Sequence, residues 1–505
     1  MRLDSLSRKT GTDFTSIVFS CTRYVVHYVL PVLILLALRR HLSPFFLRAS
    51  AVVVVGMLVY FRFRRSDWRR LTHAVPVLLA AFALIAFVDV VWHLHNTGRM
   101  QVYPDALNGY IPLSEKSIWG WEFWFFDIKP FVTPLLFKIA GRDIALLNDI
   151  FVVGYLLVTV GFLLLLRLVF EDRTERLLSF YLLVLLFLNQ SLIGAWLTVA
   201  QSEVPAIVTT IAMLAVYGYG FALRERLLLS SWKRHAYTAV VVVSTVAFSF
   251  SRDTNLYFVP VLVLFYAWTL RDRRQRIVVA TALASLFVLH NATMNASGRW
   301  KFPLTNVVLQ RVLPDPELRA HFQESYGLPV DALLASGVDR RASEDFENKE
   351  LLVDFGDGGE DWVSTRGLEA YKHFLLTNPT FVVSRWYARW NAYNADFFRW
   401  TLRRRTRFKL HPVLFSFPGA ISFFGGVLVL TGSMFFVRDC PLVSLAALHA
   451  FTIGVVAYHG DSMEVERHMQ QAAMTLRVAF VLLLPLLLRA VRAYLSSARE
   501  ADLIS

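Results

Sequence analysis

Charge is what this chain has least of for its size. Only 18% of its 505 residues are Asp, Glu, Lys or Arg, against 56% hydrophobic residues, a balance too apolar for an ordinary soluble protein. Cysteine is scarce too. Cys21 and Cys440 are the only two, far apart and without the spacing of a metal site or disulfide framework, so they leave the redox compartment open. There is no internal repeat and no low-complexity tract, which excludes solenoids and disordered linkers as the main architecture. The N-terminus carries charges followed by apolar sequence but no small-residue cleavage site, and a retained signal-anchor is expected. Acids are the scarcer sign: 38 Asp and Glu against 52 Lys and Arg, a formal charge of +14. In so apolar a chain the basic surplus belongs in loops on the cytoplasmic side of a membrane, and no nucleic-acid partner is expected.

What is abundant is apolar runs near 20 residues, the length that crosses roughly 30 Å of hydrocarbon. About twelve satisfy that criterion, centred on 24–38, 47–61, 74–94, 145–166, 177–193, 196–222, 236–250, 255–270, 277–293, 413–437, 441–458 and 473–491. The first two and the seventh are short. The expected fold class is therefore an all-α polytopic membrane protein. Its parts are an N-terminal cytoplasmic segment with two apolar runs (1–73), a membrane core (74–293), an extracytoplasmic, mostly helical soluble domain (294–411), and C-terminal membrane helices with a cytoplasmic tail (412–505). The 294–411 segment has no spanning run and holds turn-rich pieces such as LPDPELR and DFGDGGEDW. Trp386, Trp390 and Trp400 near its end are expected at headgroup depth.

Flanking Lys and Arg orient the spans, because they are retained on the cytoplasmic side. The basic stretches 61–70, 170–176, 224–235, 271–276 and 489–500 fall on one side when the runs are counted, so both termini are expected in the cytoplasm of a multi-pass protein of the bacterial inner (plasma) membrane. Arg39, Arg40 and Arg48, and RRRTRFK at 403–409, depart from that parity.

On the other face, the loop 96–143 interrupts the apolar sequence with YPDALNGY, a Trp/Phe-rich run and PFVTPLLFK. Asp105 stands at its head. Further polar clusters share that face: Gln201-Ser202-Glu203, Ser251-Arg252-Asp253-Thr254, and GDSMEVERHMQ at 460–470 with Glu466, Arg467 and His468. A charge at membrane depth costs roughly 2.5–3.5 kcal/mol on insertion scales, so such groups are expected to line a wet cavity and serve function.

The order of these parts resembles the GT-C superfamily of membrane glycosyltransferases. The likeness rests on a span followed by an outer loop with an early acid (YPDALNGY), a proline-containing PFVTPLL segment, R-D-T-N at an outer helix end, and a late outer E-R-H loop. It covers 74–270 and 441–491, not the domain at 294–411. The chain departs from the pattern in having two apolar runs ahead of the usual first span and no second acid beside Asp105, so a divalent metal stays open. The resemblance implies inverting transfer of a sugar from a polyprenyl-phosphate donor to a glycan, lipid or protein acceptor on the extracytoplasmic face. Asp105 is then the expected general base, and Arg467, His468 and Arg252 the groups that bind the donor phosphate. Glu203, Asp253, Glu466, Tyr110 and Trp121 are further candidates for substrate contact.

Each residue also has a plainer role. Asp105 could cap a helix, Arg467 and His468 could anchor a span at the interface, Arg252 and Asp253 could pair only with each other, and Glu203 could serve helix packing. The run 119–126 reads first as an interfacial helix. Two rival functions compete: an O-antigen-type glycan polymerase or ligase relying on Arg385 and Arg389, and a transporter or lipid flippase, which predicts related halves with interrupted spans.

Overall fold

A computed structural model describes residues 106–124, 129–141, 143–187, 197, 201–224, 230–335, 361–394, 421–460 and 465–504. Among these every regular element is helical. We number the long helices α1 (Ile144–Val169), α2 (Arg173–Phe187), α3 (Glu203–Ala222), α4 (Ser231–Ser249), α5 (Val259–Thr269), α6 (Arg273–Ala296), α7 (Phe423–Phe435), α8 (Pro441–Gly460) and α9 (Gln470–Ile504). Five of them, α1, α3, α6, α8 and α9, are long and apolar enough to cross a membrane. The runs at 24–38, 47–61 and 74–94 lie outside the described residues. The runs at 177–193, 236–250, 255–270 and 413–437 coincide with α2, α4, α5 and α7, which are shorter or less apolar.

Aspartates start several of these helices by accepting their free N–H groups. Asp143 accepts from Ala145 and Leu146 at the head of α1, Asp172 from Thr174 and Glu175 ahead of α2, and Asp272 from Gln275 ahead of α6. Ser422 does the same for α7.

Packing sorts the helices by residue size. In α8, Ala446, Ala450 and Gly454 recur every fourth residue and are all buried, which lets neighbouring backbones approach closely. It packs on α3, α7 and α9, with Ala472, Ala473 and Ala479 of α9 also buried. At Gly218 of α3 a Cβ would come within 2.4 Å of Leu165 in α1 and 3.2 Å of Leu442 in α8, so three helices meet where only glycine fits. By contrast α1 keeps Leu147, Phe151, Tyr155, Phe162 and Leu165 inside while Val153, Leu157, Val160, Leu164 and Leu168 stand exposed at helical spacing. An apolar stripe of that length on the outside of a helix suits lipid rather than water.

The ends of the bundle differ in chemistry. At one end the Arg489 guanidinium grips the Glu175 carboxylate with both oxygens engaged, Arg492 approaches Asp172 at 3.9 Å, and Arg234 approaches Asp272 at 3.5 Å. Arg489 and Arg492 thus meet the start of α2, and Arg234 meets the start of α6. From Gln470 to Arg489 α9 rises roughly 29 Å at 1.5 Å per residue, about the thickness of a hydrocarbon core. Its other end carries the polar clusters.

The described part of the 294–411 segment builds its own apolar cluster from Leu304, Val308, Val312, Phe322, Trp362, Tyr371 and Phe374. It docks on the C-terminus of α8, where backbone carbonyls lack helical partners. Arg311 donates to the Tyr458 carbonyl with its guanidinium 4.2 Å over that ring, and Tyr371 donates to the His459 carbonyl at 3.0 Å. His459 in turn donates through Nε2 to the carbonyl of Val382. Trp386 and Trp390 are not at a lipid interface, contrary to the sequence expectation. Both are 5% exposed, packed with Phe423 and Phe451, and the Trp390 indole donates to the Ile421 carbonyl. Trp400 lies outside the described residues.

Candidate functional site

The site is assembled where α3 begins, α4 ends and α9 is about to begin. Glu203 is the first residue of α3 and Arg467 lies in the short helix Val465–His468 that precedes α9. Arg252 follows α4 in extended backbone, φ −155° and ψ 142°, and extended geometry sends successive side chains to opposite sides. Arg252 turns toward Glu203 and His468, whereas Asp253 turns toward His290 and Arg299. The two neighbours thus do not neutralise each other.

Glu203 Oε1 lies 3.5 Å from Arg252 and 3.4 Å from Arg467. One carboxylate at 2% exposure therefore faces two guanidiniums that are themselves about one-tenth exposed. Its other oxygen, Oε2, has no hydrogen-bond partner, and neither does either polar atom of the buried Gln201 amide two residues earlier. Unsatisfied buried polar atoms cost about 1–3 kcal/mol each and call for an explanation. A ligand at this end of α3 supplies one.

His468 Nδ1 receives a hydrogen bond from Arg252. A guanidinium only donates, so Nδ1 is unprotonated and the proton of the neutral ring sits on Nε2. Burial, and then the charges of Arg252, Arg467 and Lys129, hold this imidazole well below its ordinary value of 6.5. At neutral pH His468 thus contributes a polar ring rather than a charge.

Asp253 is the centre of a second arrangement. Its Oδ1 accepts from His290 Nε2 at 2.9 Å and lies 3.4 Å from Arg299 Nε, while His290 Nδ1 meets the Ser249 hydroxyl at 2.7 Å. Phe250 stacks on the His290 ring at 4.1 Å. Arg299 reaches Asp253 through a helix stop: Gly298, with φ +66°, turns the chain, its N–H bonding Asn295 and the Arg299 N–H bonding Met294. That pairing is a Schellman turn, which needs a residue that tolerates the left-handed region. Burial works against the Asp253 carboxylate, but the His290 hydrogen bond and the charges of Arg299, His290 and Lys129 outweigh it and hold the group below its ordinary value.

Beneath the cations a polar layer locks the elements together. The Gln471 amide donates to Thr210 and, at 2.8 Å, to Asn255, whose own amide donates to the Phe248 carbonyl and the Ser251 hydroxyl. The described part of the 96–143 loop packs on the same end. Phe131 packs on Phe250 at 4.9 Å, Val132 N–H bonds the Phe250 carbonyl, and the charge of Lys129 bears on both Asp253 and His468.

Of the residues proposed from sequence, the structure brings together Glu203, Arg252, Arg467 and His468 around one carboxylate and sets Asp253 beside them. Asp105 lies outside the described residues, which begin at Ala106, and nothing is described of the Glu466 side chain. Tyr110 is buried, stacked on Phe137 at 6.1 Å with Lys129 5.5 Å over its ring. Trp121, in the four-residue helix Trp121–Trp124, is 72% exposed, and Trp119, in the turn before it, 90%. Arg385 is engaged by Asp315 at 2.6 Å and lies over Phe381. Lys129, His290, Arg299 and Gln471 were not singled out from sequence. Among the described residues, no group of three or more His, Cys, Asp or Glu side chains is placed to hold a metal ion. No protein-family model, no curated protein and no solved structure matches this chain.

Two expectations follow from this geometry. Glu203→Gln removes the carboxylate between two largely buried guanidiniums, which costs about 3 kcal/mol when a buried pair loses one partner. The thermal midpoint should fall, and inorganic phosphate should recover part of the loss by filling the vacated charge. The second concerns pH. A histidine kept neutral in the folded chain loses stability to its unfolded, protonated form as pH drops below about 6.5, and Asp253, held low, adds a further loss only below about pH 4. A melting midpoint that declines steadily from pH 7 to pH 5, and less steeply in His468→Gln, is the expected record.

Proposed function

We propose that the protein is a membrane glycosyltransferase of GT-C type, which moves a sugar from a polyprenyl-phosphate donor to an acceptor on the extracytoplasmic face with inversion. The observation that carries the reading is the Arg252–Glu203–Arg467 cluster. There two guanidiniums meet one buried carboxylate, at the end of α9 remote from the Arg489–Glu175 pair. A polyprenyl-phosphate sugar places its phosphodiester at headgroup depth, where paired guanidiniums can take two of its oxygens through charge-assisted hydrogen bonds. Those bonds strengthen as negative charge gathers on the departing phosphate, which is how such a site accelerates transfer.

In this proposal Arg252 and Arg467 hold the donor phosphate, His468 fixes the Arg252 guanidinium, and Glu203 keeps both arginines from repelling each other before substrate arrives. Asp105 accepts the proton of the acceptor hydroxyl as it attacks the anomeric carbon, and the phosphate leaves with the bonding electrons. The acceptor is a glycan, lipid or protein, and the outer loop and the 294–411 domain frame its approach. Both termini are then cytoplasmic. What favours this over a polymerase built on Arg385 is that Arg385 is committed to Asp315 at the surface, whereas Arg252 and Arg467 are gathered in the interior with unsatisfied polar atoms beside them.

The test is transfer itself. Purified protein in proteoliposomes, given labelled polyprenyl-phosphate sugars and a crude envelope acceptor, is expected to move label into a glycosidic product. Lipid movement across the bilayer without any new glycosidic bond would instead establish a flippase.

A further inference from the structure

We infer that Asp253 reads the hydroxyl groups of the sugar carried by the lipid-phosphate donor, an assignment that rests on the donor-site reading above. Several elements of the fold converge on this one carboxylate. Oδ1 is held by His290 and Arg299, the first braced by Ser249 and stacked by Phe250, the second delivered by the Gly298 turn. His290 and the Arg299 side chain are almost wholly buried, and Ser249 fully so. Asp253 is the member that opens outward, its side chain 30% exposed, and among the described residues no partner engages Oδ2. A carboxylate anchored through one oxygen and offered through the other is a fixed acceptor, with its orientation settled before any ligand arrives.

The chemistry of the group selects its ligand. Cations at its back keep it ionised, so it accepts hydrogen bonds without taking the proton, which suits hydroxyl recognition rather than base catalysis. Its position selects which hydroxyls. Arg252 and Asp253 are consecutive, with Cα atoms about 3.8 Å apart, and their side chains diverge from extended backbone. A phosphodiester held by Arg252 carries two substituents, the prenyl chain and the sugar, and only the sugar has hydroxyls for a nearby carboxylate to accept from. The charge of Lys129 bears on both His468 and Asp253. A bare lipid phosphate would use the arginines and leave Asp253 idle.

The test compares two probes on the full-length protein in nanodiscs: a short-chain polyprenyl phosphate, and a panel of the same lipid carrying one hexose or pentose. The best sugar-bearing lipid is expected to bind wild-type protein about tenfold or more tightly than the bare phosphate, as a charge-assisted hydrogen bond allows. In Asp253→Asn that advantage should shrink to about threefold or less, with affinity for the bare lipid held. His290→Gln, which removes the brace but keeps the carboxylate, should lose part of it. Arg467→Gln should weaken both lipids alike. An advantage that survives in Asp253→Asn overturns the inference, as does a wild-type protein that binds bare and glycosylated lipid equally. Parallel loss of both affinities together with thermal stability in Asp253→Asn would mark the residue as structural and overturn it too. If Arg467→Gln leaves the bare lipid unaffected, the donor-site reading fails by its own measurement.

Discussion

Replacing Asp105 with asparagine is expected to slow sugar transfer by about 10²–10⁴-fold, the usual cost of removing a general base, with donor affinity little changed. The substitution keeps size and hydrogen-bonding shape and takes away only the capacity to hold the proton. The reason for placing the base there is partly that the described carboxylates of the site are otherwise engaged. Glu203 is buried against two arginines, and Asp253 is held below its ordinary value by His290 and Arg299, which makes it a weak base. In the proposal above the base is instead Asp105, at the head of the 96–143 loop. Initial rates measured at equal protein level, with donor near saturation, read this directly. Transfer that continues at the wild-type rate would remove the assignment.

Arg467→Gln carries the second large effect. The guanidinium is expected to matter most as the phosphate departs, so beyond the weaker lipid binding the larger loss falls in kcat, about 10²–10³-fold by comparison with removing one preorganised donor from a site of developing charge. Because Arg467 also meets the buried Glu203, the variant should be less stable, and its melting midpoint must be read beside its rate. Arg467→Lys separates the two effects. It restores a charge against Glu203 but not a planar pair of donors, so stability should return further than rate. Full recovery of rate by lysine would show that charge alone, not geometry, is what the phosphate needs.

Much of the fold was legible in the apolar runs. The run at 145–166 is α1, 441–458 is α8, and 277–293 is the apolar part of α6. The run at 473–491 lies within α9, which continues to Ile504 because Arg489 and Arg492 mark where hydrocarbon stops but not where a helix must stop. The run at 255–270 hid a change of helix type. Residues Asp253–Phe258 form a tighter 3-10 turn before α5 begins at Val259, with Pro260 in its first turn, and that turn aims Asn255 at Gln471.

The convergence of Glu203, Arg252, Arg467 and His468 was also readable, since each charge stands at the end of an apolar run on the same side. The Asp253 arrangement was not. It depends on Gly298 reversing the chain after α6 so that Arg299 returns to the bundle, and on His290, which in sequence looks like one polar residue among apolar ones. Trp386 and Trp390 were misread because an aromatic residue on an amphipathic segment suits lipid and protein equally. What decides is the facing surface, here Phe423 and Phe451.

The central claim is that donor phosphate binds at the Glu203 end of the bundle. Photo-crosslinking with a polyprenyl-phosphate sugar carrying a diazirine next to its phosphate, followed by peptide mapping, tests it most directly. Labelled peptides containing Arg252 and Arg467, lost on competition with unmodified donor, are the predicted result. Label confined to the opposite end, in the peptides around Arg173 and Arg489, would contradict the account.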